Sequence, residues 1–261
     1  MKTFVIAELG SSWLFSKQPE QNFKHALKLM GIAARAGARA CKMQWVSDPL
    51  AMAKRRKIEG NPYQHLSWPL AWHAVFAEEA HRLKMEYICT VFLPCDAATL
   101  EPFVDRFKVA SLEFESRSLT KALSEQLKPV IFSSGVCSGK YLWIVRLQDS
   151  LLHCTASYPC SPREVNLGAM KSQGFTCDGL SDHSGNVLTG GFAVMRGANI
   201  IEVHCRLNET PRENPDYPHS LNPNQLKQYI DNIQLAEVML GDGKKKIEPS
   251  ERALMKHRVR K

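Results

Sequence analysis

Charged and polar residues recur at a spacing of two inside several apolar runs of this sequence. Lys42 and Gln44 are two residues apart, as are Glu202 and His204, and Lys108 stands in a similar run. Alternate residues of a β-strand point to the same face, so each pair is expected to project to one side. Because lysine is seldom buried without a partner, the pattern predicts a binding site.

Hydroxyl, carboxyl and imidazole groups stand at the ends of other apolar runs. They are Glu8, Thr90, Ser111, Glu113, Ser133, Ser134, Thr155, Ser157, Tyr158, Ser181, Asp182 and His183. Two lysines and several hydroxyls can hold a phosphate and a carboxylate. Histidines such as His183 and His204, on adjacent strands, can hold a divalent cation. The set predicts an anionic, phosphorylated substrate and a metal.

Two further histidines are interpreted differently. His153 lies in the middle of an apolar run, among leucines and a cysteine, which favours a packed structural role. His219 lies in the loop sequence PDYPHSL, and its spacing leaves open whether it reaches the site or only solvent.

Eight short apolar runs with helical stretches between them must position these residues. The runs cover 3–9, 38–45, 86–92, 106–111, 129–134, 150–156, 177–182 and 199–205. Apolar periodicity predicts helices over 23–37, 70–84, 119–127, 189–198 and 223–240. Alternating strands and helices indicate a parallel sheet, and eight units match one (β/α)8 TIM barrel over residues 1–240, with its chemistry at the C-terminal strand ends.

Composition excludes several classes of protein. With 261 residues, 44% hydrophobic and 23% charged, the chain is globular in composition. The net charge is +8, but the tail 241–261 carries eight basic against three acidic residues, so +5 lies there. The tail is interpreted as solvated, and the barrel is not expected to bind nucleic acid.

Compartment and redox state are also predicted. No apolar run reaches the roughly 18 residues of a membrane span, and the start, MKTFVIAELGSS, lacks a signal-peptide cleavage pattern. A cytoplasmic protein without a membrane partner is expected. The eight cysteines include no CxxC pair and are predicted to be reduced packing thiols.

Ten short sequence motifs resemble those of the sialic acid synthase (NeuB-like) family. They occur in the family's order and near its spacing, over nearly the whole chain. They are IAELG (6–10), AGARACKMQ (36–44), FKVASLE (107–113), KPVIFSSG (128–135), LLHCTASYP (151–159), NL (166–167), GLSDHSG (179–185), GANIIEVH (197–204), NPDYPHSLNP (214–223) and LGDGKKKIEPSE (240–251). The resemblance implies a metal-dependent condensation of phosphoenolpyruvate with an aldehyde or sugar acceptor. The products would be a 2-keto sugar acid and phosphate.

The resemblance also implies a role for each matching residue. The phosphate of phosphoenolpyruvate would be bound by Lys108, Ser111, Ser133 and Ser181, and its carboxylate end by Lys42 and Thr90. The divalent metal, manganese or magnesium, would be bound by His183 and His204. The catalytic candidates are Glu113, Glu8 and Glu202, and the acceptor-side or supporting candidates are Gln44, Tyr158 and Asp216.

Departures from the family pattern concern the acceptor. Ser12-Trp13 replaces the usual Asn-His, Leu93 a usual Asp and Leu112 a usual Gly, and these changes are expected to crowd the acceptor side. Ala156 and Ser157 lack an amide that sialic acid synthases often carry. The sequence stops near residue 261, so the family's C-terminal antifreeze-like domain is expected to be absent. The acceptor is therefore expected to differ from the usual amino sugar or to be smaller than it.

Two alternatives and one interface remain open. The barrel could run another aldolase or lyase reaction, or it could be catalytically silent and bind a partner through its basic tail. A homo-oligomer or a covering partner protein is expected, because the unusually short connection between the fifth and sixth strands contains the largely apolar segment YLWIVRL (141–147).

Overall fold

A computed structural model describes residues 3–137, 147–172 and 175–259 of the chain. Eight parallel strands close into a barrel in which each strand pairs with its neighbours in sequence and the last pairs with the first. The strands are β1 (Phe4–Glu8), β2 (Ala40–Gln44), β3 (Glu86–Thr90), β4 (Arg106–Val109), β5 (Val130–Ser133), β6 (Ser150–Cys154), β7 (Gly179–Asp182) and β8 (Ile200–His204). The predicted single TIM barrel is confirmed, and each strand lies within a predicted run.

Helices surround the barrel. They are α1 (Pro19–Ala36), α2 (Pro49–Arg55), α3 (Trp72–Arg82), α4 (Asp96–Leu100), α5 (Arg117–Ser124), α6 (Thr189–Met195) and α7 (Pro223–Leu240). Short 3-10 segments cover Gln64–Leu66, Ser111–Glu113, Leu167–Met170, Tyr217–His219 and Pro249–His257. A two-stranded hairpin pairs Lys171–Ser172 with Phe175–Thr176. Helix α1 ends at Gly37, as predicted, because its φ of 105° is left-handed and its N–H bonds to Ala33 and Ala34 carbonyls.

Inward-facing side chains form two layers with different chemistry. The lower layer is an apolar plug, and it consists of Ile6, Ala40, Ile88, Ile131 and Leu152. In four of these strands the residue two positions further along is polar, namely Glu8, Lys42, Thr90 and Ser133. Together with Lys108, Ser181, Glu202 and His204 from β4, β7 and β8, these residues form an upper, polar layer. The plug closes the barrel beneath the polar layer, so that layer opens only toward the C-terminal ends of the strands.

The outer faces of the strands pack against the helices and bury most of the remaining core. Trp13 belongs to this outer layer: it is fully buried and its ring lies 5.8 Å from that of Trp68 and 6.0 Å from that of Phe76. The expectation that Trp13 crowds the acceptor side is therefore wrong. Leu93 is likewise buried, in an apolar cluster with Phe92 and Met52.

Most of the cysteines are buried, whereas the C-terminal tail is exposed. All eight cysteines are free thiols and six of them are buried, which agrees with the prediction of reduced packing thiols. Residues 241–259 lie exposed. None of the helices in the described segments combines the length and apolar character needed to cross a lipid bilayer. Most of the YLWIVRL segment falls in 138–146, outside the described residues.

Candidate active site

A cavity of about 480 Å³ opens at the C-terminal ends of the strands. It brings together most of the site residues predicted from sequence, from seven different strands or the loops that follow them. These residues are Lys42, Gln44, Thr90, Lys108, Ser111, Ser133, Tyr158, Ser181, His183, Glu202, His204 and Asp216. Two predicted catalytic residues, Glu8 and Glu113, do not line the cavity.

Lys108 and the hydroxyls beside it form one side of the cavity. The Nζ atom of Lys108 donates to Ser133 Oγ at 2.7 Å and to the Val109 carbonyl at 2.8 Å. The side chain is almost fully buried, and burial lowers its pKa. Over the described chain, no carboxylate lies within 4.0 Å of this ammonium. A buried cation with hydroxyl neighbours and no ion-pair partner is suited to an incoming anion.

Gly135 fixes the Ser111 hydroxyl at the same side. Its N–H donates to Ser111 Oγ at 3.1 Å, and a Cβ at this position would lie 2.5 Å from that oxygen and 2.9 Å from the Ser111 Cβ. Gly135→Ala is therefore expected to displace Ser111 and to weaken phosphoenolpyruvate binding by about tenfold or more, the loss of one hydrogen bond to a charged group. Calorimetric titration measures the affinity, and an unchanged value would contradict a role for Ser111.

Lys42 lies between two buried carboxylates at the base of the cavity. It forms an ion pair with Glu8, lies 3.6 Å from Glu202 Oε2 and donates to Thr90 Oγ1 at 3.0 Å. Gln44 donates to Glu8 Oε1 at 3.0 Å, which fixes that carboxylate from above. Glu8 thus pairs with Lys42, and it does not itself line the cavity.

Burial and charge act in opposite directions on these carboxylates. Burial raises the pKa of Glu8 to about 7, although the Lys42 ammonium opposes this shift. Burial also acts to raise the pKa of Glu202, but Lys108 and Lys42 outweigh it and hold that pKa below its ordinary value. Glu202 is therefore ionised at neutral pH, while Glu8 titrates near it.

The raised pKa of Glu8 makes a testable contribution to stability. The folded state binds this proton more tightly than the unfolded chain, so the contribution falls as the pH rises from about 4.5 to about 7. Glu8→Gln removes this titration, and its stability relative to the natural protein should increase across that window. Melting temperatures of both proteins at pH 5 and pH 8 test this. Parallel curves would contradict the assignment.

Glu113 faces an arginine that sequence reasoning missed. Arg56 donates through Nε to Glu113 Oε1 at 2.8 Å and through Nη2 to Oε2 at 2.9 Å. The guanidinium lies over the rings of Tyr63 and Phe92. Arg56 lines the cavity, so the structure presents the arginine of this pair, and not the predicted catalytic carboxylate, to the cavity.

Three imidazoles lie close together in the same cavity. The ring centroid of His183 lies 5.3 Å from that of His204, and the His204 ring lies 4.5 Å from that of His219. Donor atoms of His204, Asp216 and His219 all lie within 4.8 Å of one another. His219, which sequence left open, therefore reaches the site.

This group of residues fits a divalent cation. Burial lowers the pKa of His183 to about 4 and that of His204 well below its ordinary value, so both rings are neutral and keep a lone pair. His183 Nδ1 lies 3.1 Å from the Thr155 carbonyl, and its Nε2 lies 3.5 Å from Ser181 Oγ. The buried His204 Nδ1 atom has no hydrogen-bond partner among the described residues. Neutral imidazoles beside a carboxylate are typical transition-metal ligands.

Two remaining predictions concern residues around the site. His153 lies on the outer face of β6, where Nε2 is 2.8 Å from the Val165 carbonyl, so the predicted structural role agrees with its place. On the acceptor side, Leu112 does line the cavity and is 61% exposed, and Ala156 also lines it.

Comparisons with known proteins agree with this geometry. The sequence matches the NeuB family over residues 29–245. It is 30% identical to a pseudaminic acid synthase of Campylobacter jejuni, across 99% of this chain and 80% of that protein. It is 27% identical to an N,N'-diacetyllegionaminic acid synthase of Legionella pneumophila, with the same coverage of both chains.

A solved structure supports the fold. The N-acetylneuraminic acid synthetase of Leptospira borgpetersenii superposes with a TM-score of 0.82 and 24% identity, covering 98% of this chain and 91% of that one. That similarity concerns the barrel architecture. The family match over residues 29–245 and the 30% identity to the Campylobacter jejuni synthase show that this chain belongs to the NeuB family.

Proposed function

We propose that this protein is a synthase that condenses phosphoenolpyruvate with the aldehyde of a sugar or similar acceptor, forming a 2-keto sugar acid and releasing phosphate. The observation that carries the proposal is that one cavity contains two sets of side chains. One set is two buried lysines with hydroxyls, and the other is imidazoles with a carboxylate. Relatives named as sugar acid synthases support the same reaction class.

The lysines and hydroxyls would bind phosphoenolpyruvate. Lys108, with Ser133 and Ser111, would hold the phosphate, and Lys42 with Thr90 would hold the carboxylate end. Their positions on rigid strands leave little reorganisation for binding, so the ligand meets groups that are already oriented. The apolar plug beneath them excludes water from one side of the substrate.

The imidazoles of His183 and His204, with Asp216 beside them, would hold the divalent metal. When bound, such a cation polarises the aldehyde oxygen of the acceptor as a Lewis acid. Arg56 and Leu112 lie in the same cavity and would contact more distant parts of the acceptor.

The condensation forms a carbon–carbon bond at C3 and releases phosphate from C2. C3 of phosphoenolpyruvate bonds to the aldehyde carbon, whose oxygen becomes a hydroxyl. Water supplies the new oxygen at C2, and the bond from C2 to the phosphate oxygen breaks, so the bridging oxygen leaves with phosphate. The two water protons end on the new hydroxyl and on phosphate.

Glu202 would assist at C2. Its Oε1 accepts from Ser181 at 2.8 Å, while its Oε2 has no hydrogen-bond partner in the described part of the chain. An ionised carboxylate stabilises positive charge that develops at C2. Oε2 can also accept the proton that the attacking water loses.

Acceptor-dependent phosphate release tests the proposal. The purified protein is incubated with phosphoenolpyruvate, Mn²⁺ and a panel of aldoses and amino sugars, and released phosphate and product mass are measured. We expect phosphate only where a product of combined mass forms. Release at the same rate without acceptor would indicate a different reaction on the barrel, and salt-sensitive binding without turnover would indicate a silent binding protein.

We also propose that a second copy or another protein covers this cavity. Leu112 and Tyr158, which line it, are 61% and 53% exposed, so an apolar edge of the site faces solvent in the single chain. Light scattering with and without phosphoenolpyruvate determines the oligomeric state. A monomer that retains full turnover alone would contradict this part of the proposal.

A further inference from the structure

We propose that His219 supplies a third imidazole to the cation site, beside His204 and Asp216. The inference rests on the proposed metal-dependent function for the presence of a cation, and it adds a ligand that the sequence did not assign. His219 lies in the loop after β8, within the 3-10 segment Tyr217–His219.

The backbone holds His219 firmly in place. Two residues further on, Leu221 forms an isolated parallel bridge with Cys205, directly after β8. The Leu221 N–H donates to the His204 carbonyl at 2.9 Å, and the Arg206 N–H donates to the Leu221 carbonyl at 3.0 Å. The loop is therefore attached to the strand that carries His204, so the two imidazoles are positioned by one hydrogen-bonded unit.

The His219 ring is buried without satisfying its own nitrogens. Its exposure is 1%, and neither ring nitrogen has a hydrogen-bond partner among the residues the structure describes. The nearest carboxylate oxygen, Asp216 Oδ1, is 3.5 Å from Nε2, which is longer than a good hydrogen bond. A buried polar group without a partner is costly, and a bound cation would remove that cost.

Asp216 is oriented so that one oxygen remains for the same cation. Its Oδ2 accepts from the Ser11 N–H at 2.5 Å and from the Ser11 hydroxyl at 3.0 Å. Its Oδ1 faces His219. The Ser11 contacts thus anchor the carboxylate to the loop after β1 and direct the second oxygen toward the imidazoles, as outer partners of metal ligands commonly do.

A third imidazole has a consequence for metal selectivity. Nitrogen ligands favour Mn²⁺, Co²⁺ and Zn²⁺ over Mg²⁺, which prefers oxygen. The natural protein is therefore expected to bind Mn²⁺ and Co²⁺ more tightly than Mg²⁺. Loss of His219 should reduce that preference.

Metal binding by the protein alone tests the inference. Mn²⁺, Co²⁺ and Mg²⁺ are titrated calorimetrically into the natural protein and into His219→Ala, His219→Gln and His65→Ala. His65 is the matched control, because its imidazole lines the same cavity but lies outside the group of three donors. We expect both His219 variants to lose about tenfold or more in Mn²⁺ affinity, with a smaller loss for Mg²⁺. His65→Ala should bind as the natural protein does.

Pulsed electron paramagnetic resonance of bound Mn²⁺ distinguishes a ligand from a residue that only positions Asp216. The natural protein should show coupling to the His219 nitrogen, and the His219 variants should show one coupled imidazole fewer. Unchanged coupling, even with weaker binding, would overturn the inference. So would the absence of any Mn²⁺ binding to the natural protein. Product formation from phosphoenolpyruvate is measured separately, so the proposed function can stand or fall independently of this ligand.

Discussion

Lys108→Met is expected to lower phosphoenolpyruvate-dependent turnover by about 10²- to 10³-fold, the range found when one preorganised charge-stabilising group is removed. The ammonium is buried, contacts the Ser133 hydroxyl and has no carboxylate within 4.0 Å among the described residues. Methionine keeps a similar volume and removes only the charge and the donors. The loss of turnover should therefore come from weaker binding of the anion and not from a destabilised barrel.

Ligand-induced stabilisation distinguishes a loss of anion binding from a loss of barrel stability. At 100 times its dissociation constant, phosphoenolpyruvate should stabilise the natural protein by about 2.7 kcal/mol. This stabilisation, seen as a rise in melting temperature, should disappear in Lys108→Met. Lys24→Met, an exposed lysine of α1, is the control and should keep the full rise. An equal rise in both variants would show that Lys108 does not bind the substrate.

Lys42→Met is expected to destabilise the protein by about 3–5 kcal/mol near pH 8, because it leaves Glu8 and Glu202 buried without their shared cation. The loss should be smaller near pH 5. Burial raises the pKa of Glu8 to about 7 even beside the ammonium, so Glu8 is protonated near pH 5 and its charge penalty is absent there.

Urea denaturation at both pH values measures the free energy of unfolding. The double variant Lys42→Met/Glu8→Gln removes one orphaned charge together with the cation, and we expect it to recover part of the stability lost at pH 8. The two residues are in contact, so their effects should not add. A loss that is the same at both pH values, or additive effects in the double variant, would contradict a charge-based role for Lys42.

The barrel and the strand-borne part of the site could be predicted because both depend on the same period of two. In β2 and β8 the inward positions alternate with buried apolar residues of the outer face, so Lys42, Glu202 and His204 were placed correctly by spacing alone. The polar layer lies two residues beyond the apolar plug, and this step is visible in the sequence.

The rest of the site lies in loops after the strands, where the alternation of inward and outward side chains no longer applies. After β4 the chain forms the 3-10 segment Ser111–Glu113, which turns Ser111 into the cavity and Glu113 away from it, toward Arg56. Arg56 comes from the basic run KRRK, which in sequence is indistinguishable from a solvated surface. Trp13 shows the converse error, because a large ring in the loop after a strand can pack outward against helices as readily as inward.

His219 could not be placed from sequence for a related reason. Its position depends on the bridge between Cys205 and Leu221, a contact between a strand end and a returning loop that no local periodicity encodes. The only available signal was its neighbourhood, since the loop word NPDYPHSLNP also contains Asp216.

The most direct test of the proposed condensation follows the bridging oxygen of phosphoenolpyruvate. The substrate is labelled with ¹⁸O between C2 and phosphorus and is incubated with Mn²⁺ and an acceptor that supports phosphate release. Mass spectrometry then locates the label. If C3 attacks the aldehyde and water adds at C2, all of the label is in phosphate and none is in the 2-keto acid. Label retained in the organic product, or phosphate formed with no product of combined mass, would contradict the proposed function.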